Sequence, residues 1–252
     1  VAPWLRPKTI APTATAKLTT PGRSRSREAS GSGLPNYLGA LAIAPDGINA
    51  WVPSKQDNIL RGMLRNGNNL NFQNTVRAIG SHVQLNNNNG TENFAGRVDF
   101  DNASVASAAV FDKSGNYLFV ALETSREVSV VDAYGKVELM RVGVGFAPQG
   151  LALSANGNRL YVHNFMDRSI SVLDVSQLVN EGKRVIPLIT TYNSISTDKL
   201  TAQVLAGKKL FYDARDTRLA KDNYMSCASC HNDGGHDGRV WDLTGFGEGL
   251  RN

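Results

Sequence analysis

Cysteine is nearly absent from this chain of 252 residues, which carries only Cys227 and Cys230. Long apolar runs are absent too: no stretch of about 18 apolar residues exists, so no membrane-spanning helix is expected. An amino-terminal apolar segment with a cleavage site is also missing. The chain starts at Val1, not Met, and the expectation is that an export signal has already been removed. A sustained excess of one charge is lacking over most of the length. Residues 1–35 hold Arg6, Lys8, Lys17, Arg23, Arg25 and Arg27 against Glu28 alone, which accounts for the whole net charge of +5. This basic arm has few aromatics and no basic helix, so nucleic acid is not an expected partner. A solvated or partner-contacting arm is expected instead. What the chain does have is 41% hydrophobic residues with 9 Phe and 7 Tyr, ample for an ordered core.

Residues 1–37 are rich in Pro, Thr, Ser, Arg and Gly and read as an extended arm. From residue 38 the texture changes to short apolar runs separated by Gly-containing turns. The run Ala109 to Val120 and the run Leu151 to Val162 repeat one pattern, with Gly115 and Gly157 42 residues apart. The segments Val128–Asp132 and Ile170–Asp174 match at the same offset. Each unit reads strand, turn, strand, turn, strand, because β-branched and aromatic residues favour strands and Gly permits φ > 0. An earlier copy runs from Leu41 to Val52, its Gly47 lying 68 residues before Gly115. The surplus over one period is assigned to an insertion loop near residues 62–92, which includes the amide run Asn86 to Asn89. A repeat of this length with several strands is the mark of a propeller blade. The fold expected is therefore mainly β. A partial β-propeller with about three visible blades at 38–176 is followed by an α-helical segment at 177–252. Since a closed propeller needs roughly four to eight blades, other segments or a longer chain are expected to complete it. Residues 176–196 read as a crossover. A helix capped by Thr197 or Asp198 and ending near Tyr212 is expected, with Leu200, Val204, Leu205, Leu210 and Phe211 on one face.

The chemistry is concentrated at Cys227-Ala228-Ser229-Cys230-His231, the C-x-x-C-H pattern of c-type haem attachment. Two thiols at this spacing add across the two vinyl groups on one side of a porphyrin, and the adjacent His231 supplies an axial bond to iron. A thioredoxin-like pair would follow a strand in a βαβ context, which this stretch lacks. A zinc site would use Cys227, Cys230, His231 or His236 and a further ligand, and no second C-x-x-C exists. The cofactor expected is covalent haem c, with Cys227, Cys230 and His231 as its attachment and iron-ligand residues. Because such cytochromes mature outside the cytoplasm, a periplasmic or extracellular location is expected. Met225, His236, His82 and His163 are the candidates for a sixth ligand. His82 is placed in the insertion loop and His163 on a strand as a partly buried residue. Neither Met225 nor His236 is far enough along the chain to reach the opposite face easily. The alternatives are a ligand beyond Asn252 or an open position on the iron. Arg239 is a candidate partner for a haem propionate or for a surface ion pair. Trp241 is a candidate to pack on the haem edge.

The stretch from Ala206 to Asn252 resembles the di-haem cytochrome c peroxidase and MauG-like family. The resemblance is carried by Gly207-Lys208-Lys209-Leu210-Phe211-Tyr212-Asp213, Met225 to His231, Asp237 to Asp242 and Gly247 to Asn252. It implies that the first segment opens a haem domain, that His231 is the proximal ligand and that Trp241 lies near a path between two haems. A calcium ion between the haems is implied as well, with no ligands assignable in this sequence. The family's second C-x-x-C-H is missing here. The repeats resemble the YVTN-type propeller of exported and surface-layer proteins. Together they imply an exported c-type cytochrome in electron transfer or peroxidase-like oxidoreduction. Its expected partner is a redox protein or the rest of a longer chain. The competing expectation is a propeller-based binding or docking module whose haem is structural or sensory.

Overall fold

The fold was read from a computed structural model that describes residues 34–58, 75–85, 90–236, 238–242 and 249–251. The first sheet contains β1 (Leu34–Asn36), β2 (Ala42–Ile43), β3 (Asn49–Asp57), β4 (Val76–Gln84), β5 (Thr91–Glu92) and β6 (Val98–Phe100). Its centre is the antiparallel pair β3–β4, in register from Asn49 opposite Gln84 to Asp57 opposite Val76. The second sheet takes β7 (Ala106–Phe111), β8 (Tyr117–Leu122), β9 (Glu127–Asp132) and β10 (Val137–Gly143), hydrogen-bonded in sequence order. The third takes β11 (Pro148–Leu153), β12 (Arg159–Asn164), β13 (Ser169–Asp174) and β14 (Leu188–Asn193), again in sequence order. Helix α1 (Ser176–Glu181) lies between β13 and β14. Beyond the third sheet come α2 (Ala202–Phe211), the one-turn α3 (Cys227–Cys230) and the hairpin of β15 (Trp241–Asp242) with β16 (Leu250–Arg251). The described chain is thus β-rich with short helices.

The strand period explains the cores. Neighbouring residues on a strand point to opposite faces, so one strand can serve two interfaces. On β8, Leu118 joins a first core with Trp51, Phe100 and Phe111, whereas Phe119 joins a second with Leu160, Leu173 and Leu178. On β9, Val131 and Val130 divide in the same way. The second sheet is thereby sandwiched between the first and the third, and each large apolar side chain so buried contributes about 1.5–3 kcal/mol. The repeated turns close alike. Gly115 donates its N–H to the Asp112 carbonyl at 3.1 Å, and Gly157 donates to the Ser154 carbonyl at 2.9 Å. Their φ angles of 77° and 79° are the left-handed values these turns require.

Several expectations are corrected. Residues 76–84 fall within the range assigned to the insertion, yet form β4, a strand buried along almost all its length. Residues 59–74 and 86–89 of that range lie outside the described residues, as do residues 1–33 of the arm. Leu34–Asn36, at the end of the arm, pairs with β3. The stretch read as a crossover contains β14, so the third sheet continues past residue 176 to 193. The expected helix begins later. Asp198 closes a local turn by accepting from Leu200 N at 2.8 Å, and Thr201 is the cap, its Oγ1 accepting from Val204 N at 3.3 Å. Its apolar face is largely uncovered, with Val204 and Leu210 exposed, and Phe211 is its residue in the core beneath.

Candidate functional site

The C-x-x-C-H segment is seated where the sheets present equivalent positions. The offset of 68 that links Gly47 to Gly115 carries Lys55 to Glu123, and the offset of 42 carries Glu123 to Phe165. Lys55 lies near the end of β3, Glu123 just after β8 and Phe165 just after β12. All three regions contact the chain between Tyr212 and Ser229. Lys55 Nζ donates to the Ser229 carbonyl at 2.5 Å. The Thr124 carbonyl, next to Glu123, accepts from Ala214 N at 2.8 Å. Phe165 packs with Phe146, Met166, Tyr212 and Ala228. Arg126 and Lys209 both lie over the Phe146 ring.

Within α3 the local sequence decides which way each side chain faces. Ser226 N donates to Ser229 Oγ at 2.8 Å, and His231 N donates to the Cys227 carbonyl at 2.9 Å, closing one helical turn. Ala228 and Ser229 face the scaffold and are buried. Residues three apart share a face, so Cys227 and Cys230 turn the other way, the first exposed and the second half-buried, with no disulfide between them.

His231 is exposed and its ring is oriented. Nδ1 stands 2.8 Å from the Gly235 carbonyl. A carbonyl only accepts, so Nδ1 carries the proton and Nε2 keeps its lone pair for a metal. The return of the chain that aims this carbonyl uses left-handed residues at Asp233 and Gly234, with φ of 55° and 78°. An imidazole held through its other nitrogen is the usual outer support of a metal-bound histidine. Outward thiols on one face with an adjacent oriented imidazole fit covalent haem.

The other sequence candidates are placed as follows. Arg239 has Nε 3.3 Å from Asp57 Oδ2. Trp241 lies in the β15–β16 hairpin, opposite Arg251. Met225 is partly buried beside the motif, and His236 is exposed, its Nδ1 accepting from Gly238 N at 3.0 Å. His82 is not in a loop: it sits in β4, stacked on Trp51 with ring centres 4.1 Å apart and Nε2 2.7 Å from Asn49 Oδ1. His163, expected to be partly buried, is exposed on β12. Among the described residues no group of three or more His, Cys, Asp or Glu side chains converges as an ion site.

Sequence reasoning missed the polar groups beneath the motif. Lys55 and Asp57 are buried with Nζ and Oδ2 3.0 Å apart, and Ser104 Oγ meets Ser229 Oγ at 2.6 Å. Glu123 is buried, accepting from Gln149 Nε2 at 2.9 Å. Burial pushes its carboxyl up to about 7, hydrogen bonds from Gln149 and Ser107 oppose that, and the Asp233 charge adds to it. Burial likewise raises the Tyr37 and Tyr212 hydroxyls, with Glu123 and Asp233 contributing to both. The repeat offset is the signal that marks Lys55 and Glu123, because ionisable side chains there occupy the position of Phe165.

The family described as di-haem cytochrome c peroxidase matches residues 201–251. No curated protein is matched by the chain. Among solved structures, hydrazine synthase of Kuenenia stuttgartiensis is similar at 17% identity, over 56% of this chain and 46% of that one, with a TM-score of 0.47. A functionally unknown protein from Desulfotomaculum acetoxidans is similar at 12% identity over 62% and 56%, with a TM-score of 0.41. The periplasmic gluconolactonase PpgL of Pseudomonas aeruginosa is similar at 12% identity over 64% and 58%, with a TM-score of 0.40. The chain spans about half the length of these structures.

Proposed function

We propose that this chain is an exported c-type cytochrome that works in electron transfer or as a peroxidase-like haem oxidoreductase, with three blades of a YVTN-type β-propeller as its scaffold. The observation that carries the reading is the pair of outward thiols beside an imidazole whose Nδ1 is held by the Gly235 carbonyl. The match of residues 201–251 to the di-haem cytochrome c peroxidase family supports it. Cys227 and Cys230 hold the group through thioethers, and His231 presents Nε2 to the iron. Arg239, whose Nε lies 3.3 Å from Asp57 Oδ2, is assigned to that ion pair, and Trp241 to the haem edge. The bound haem supplies one-electron chemistry at iron, tuned by the axial ligands and surrounding charge. The scaffold residues fix the segment so that little rearrangement accompanies electron gain or loss. Because thioether formation belongs to compartments outside the cytoplasm, the reading places the chain in the periplasm or beyond. A calcium ion near the haem remains part of it.

A second reading makes the scaffold a docking module and the haem a structural or sensory attachment. It is favoured by β14, where Leu188, Ile189 and Tyr192 are exposed on an outer strand, since apolar side chains gathered on an edge mark contact surfaces. Cyanide titration of the oxidised protein separates the two roles of the iron. Uptake of cyanide with a high-spin to low-spin change supports catalysis. A low-spin spectrum that cyanide leaves unchanged supports carriage or a structural haem. A protein without haem absorbance sinks both.

A further inference from the structure

We propose that Lys55 and Asp57 are positioning residues for the C-x-x-C-H segment, a buried ion pair on β3 that seats the segment from both sides and holds the Lys55 ammonium at the Ser229 carbonyl, two residues before His231. The part concerning the iron rests on the haem reading above.

The pair lies on one face of β3, two residues apart, and both side chains are almost completely buried. Removing two charges from water is costly, and apolar side chains would fill such a site at a lower free-energy cost. The contacts show what the charges accomplish. Lys55 Nζ donates to Asp57 Oδ2 at 3.0 Å and to the Ser229 carbonyl at 2.5 Å, reaching a residue 174 positions onward. That carbonyl belongs to the last turn of α3, where backbone acceptors have no partner inside the helix. Asp57 Oδ2 also accepts from Asn36 Nδ2 at 2.7 Å and faces Arg239 Nε at 3.3 Å. One carboxylate oxygen therefore ties down the chain after the motif, while its lysine partner ties down the motif itself. Ser104, at the edge of the second sheet, holds Ser229 Oγ from another side.

Lys55 Nζ and Arg239 Nε lie 3.0 and 3.3 Å from the same oxygen, Asp57 Oδ2. Ser229 is two residues before His231. A fixed cation beside an iron centre disfavours the more positive ferric form and raises the reduction potential.

The test compares the full chain with Lys55→Met and Arg239→Gln variants. Hydrogen exchange of the protein as isolated is followed at residues 226–240 and, as an internal reference, at β9 and β13. Lys55→Met is expected to speed exchange at 226–240 at least tenfold while β9 and β13 keep their protection. In the haem-loaded protein its reduction potential is expected to fall below that of the wild type, a change that a merely structural seat would not produce. Unchanged exchange at 226–240 overturns the seat, and an unchanged potential overturns the role of the charge. If Lys55→Met loses protection in every sheet, Arg239→Gln decides, since that side chain is partly exposed and lies outside the three sheets. Faster exchange confined to 226–240 upholds the seat, and wild-type exchange there overturns it. Exchange is read with or without haem, so a chain that proves to lack haem refutes the haem reading and leaves the seat to be judged by exchange alone.

Discussion

Gln149 Nε2 donates to Glu123 Oε1 at 2.9 Å, joining the third sheet to the turn that leaves the second. This bond lies next to the chain that carries the motif, and it does not offset the burial of Glu123. The carboxyl titrates near 7 instead of 4.5, mainly because burial disfavours its charged form.

The first prediction follows from that shift. The folded state binds the Glu123 proton more tightly than the unfolded chain. The associated stability is therefore fully present below 4.5 and is lost as pH rises through about 7. The displacement corresponds to a contribution on the order of 3 kcal/mol. Urea unfolding at about pH 5 and about pH 8 should show the wild type weakening with rising pH, and Glu123→Gln should remove much of that slope. An equal slope in both proteins would contradict the assignment.

Substitution of the turn glycines should separate backbone strain from crowding. Gly47 and Gly115 have φ of 69° and 77°, so alanine at either is strained by about 1 kcal/mol. A Cβ on Gly47 meets open space, whereas one on Gly115 meets Pro45 Cδ at 3.1 Å. Gly115→Ala is expected to be the more destabilising in a denaturation experiment, because a proline ring has little room to swing aside.

The repeat turns show how far the fold could be read in advance. Gly115 and Gly157 announce their strands because φ > 0 and a 42-residue spacing leave a mark in composition. The strand β14 leaves none, since Leu188, Ile189 and Tyr192 are all exposed and no alternation of apolar and polar residues results. The strand β4 was hidden for the opposite reason: Arg77, Ser81 and His82 are buried along with its apolar residues. At the candidate site, Cys227, Cys230 and His231 are legible because chemistry demands their spacing. Lys55 and Asp57 look like a polar strand end until the chain 174 residues later is laid against them.

Burial predicts unequal costs at Phe119 on β8 and at Tyr134 in the turn after β9. Phe119 is fully buried between the second and third sheets, so Phe119→Ala should cost about 3–5 kcal/mol through lost transfer energy and a residual cavity. Tyr134 is 95% exposed, and Tyr134→Ala should stay within about 0.5 kcal/mol of the wild type. Equilibrium unfolding in denaturant distinguishes the two.

Replacing the thiols should abolish attachment and spare the scaffold. Cys227 and Cys230 turn away from the buried side of α3, where Ala228 and Ser229 face the sheets. The double variant Cys227→Ala, Cys230→Ala is expected to carry no covalent haem. Unfolding of the haem-free chains should differ by no more than about 1 kcal/mol with or without the thiols, Cys230 being half-buried. Collapse of the sheets in the double variant would show that the thiols serve packing.

The central claim is tested most directly by an intact mass and a dithionite-reduced absorption spectrum of the chain made in cells that mature c-type cytochromes. The account predicts a mass increased by one haem, unchanged by acid–acetone extraction, together with a Soret band and sharp α and β bands on reduction. A bare polypeptide mass without a Soret band, obtained while a control cytochrome is matured in the same cells, would contradict it.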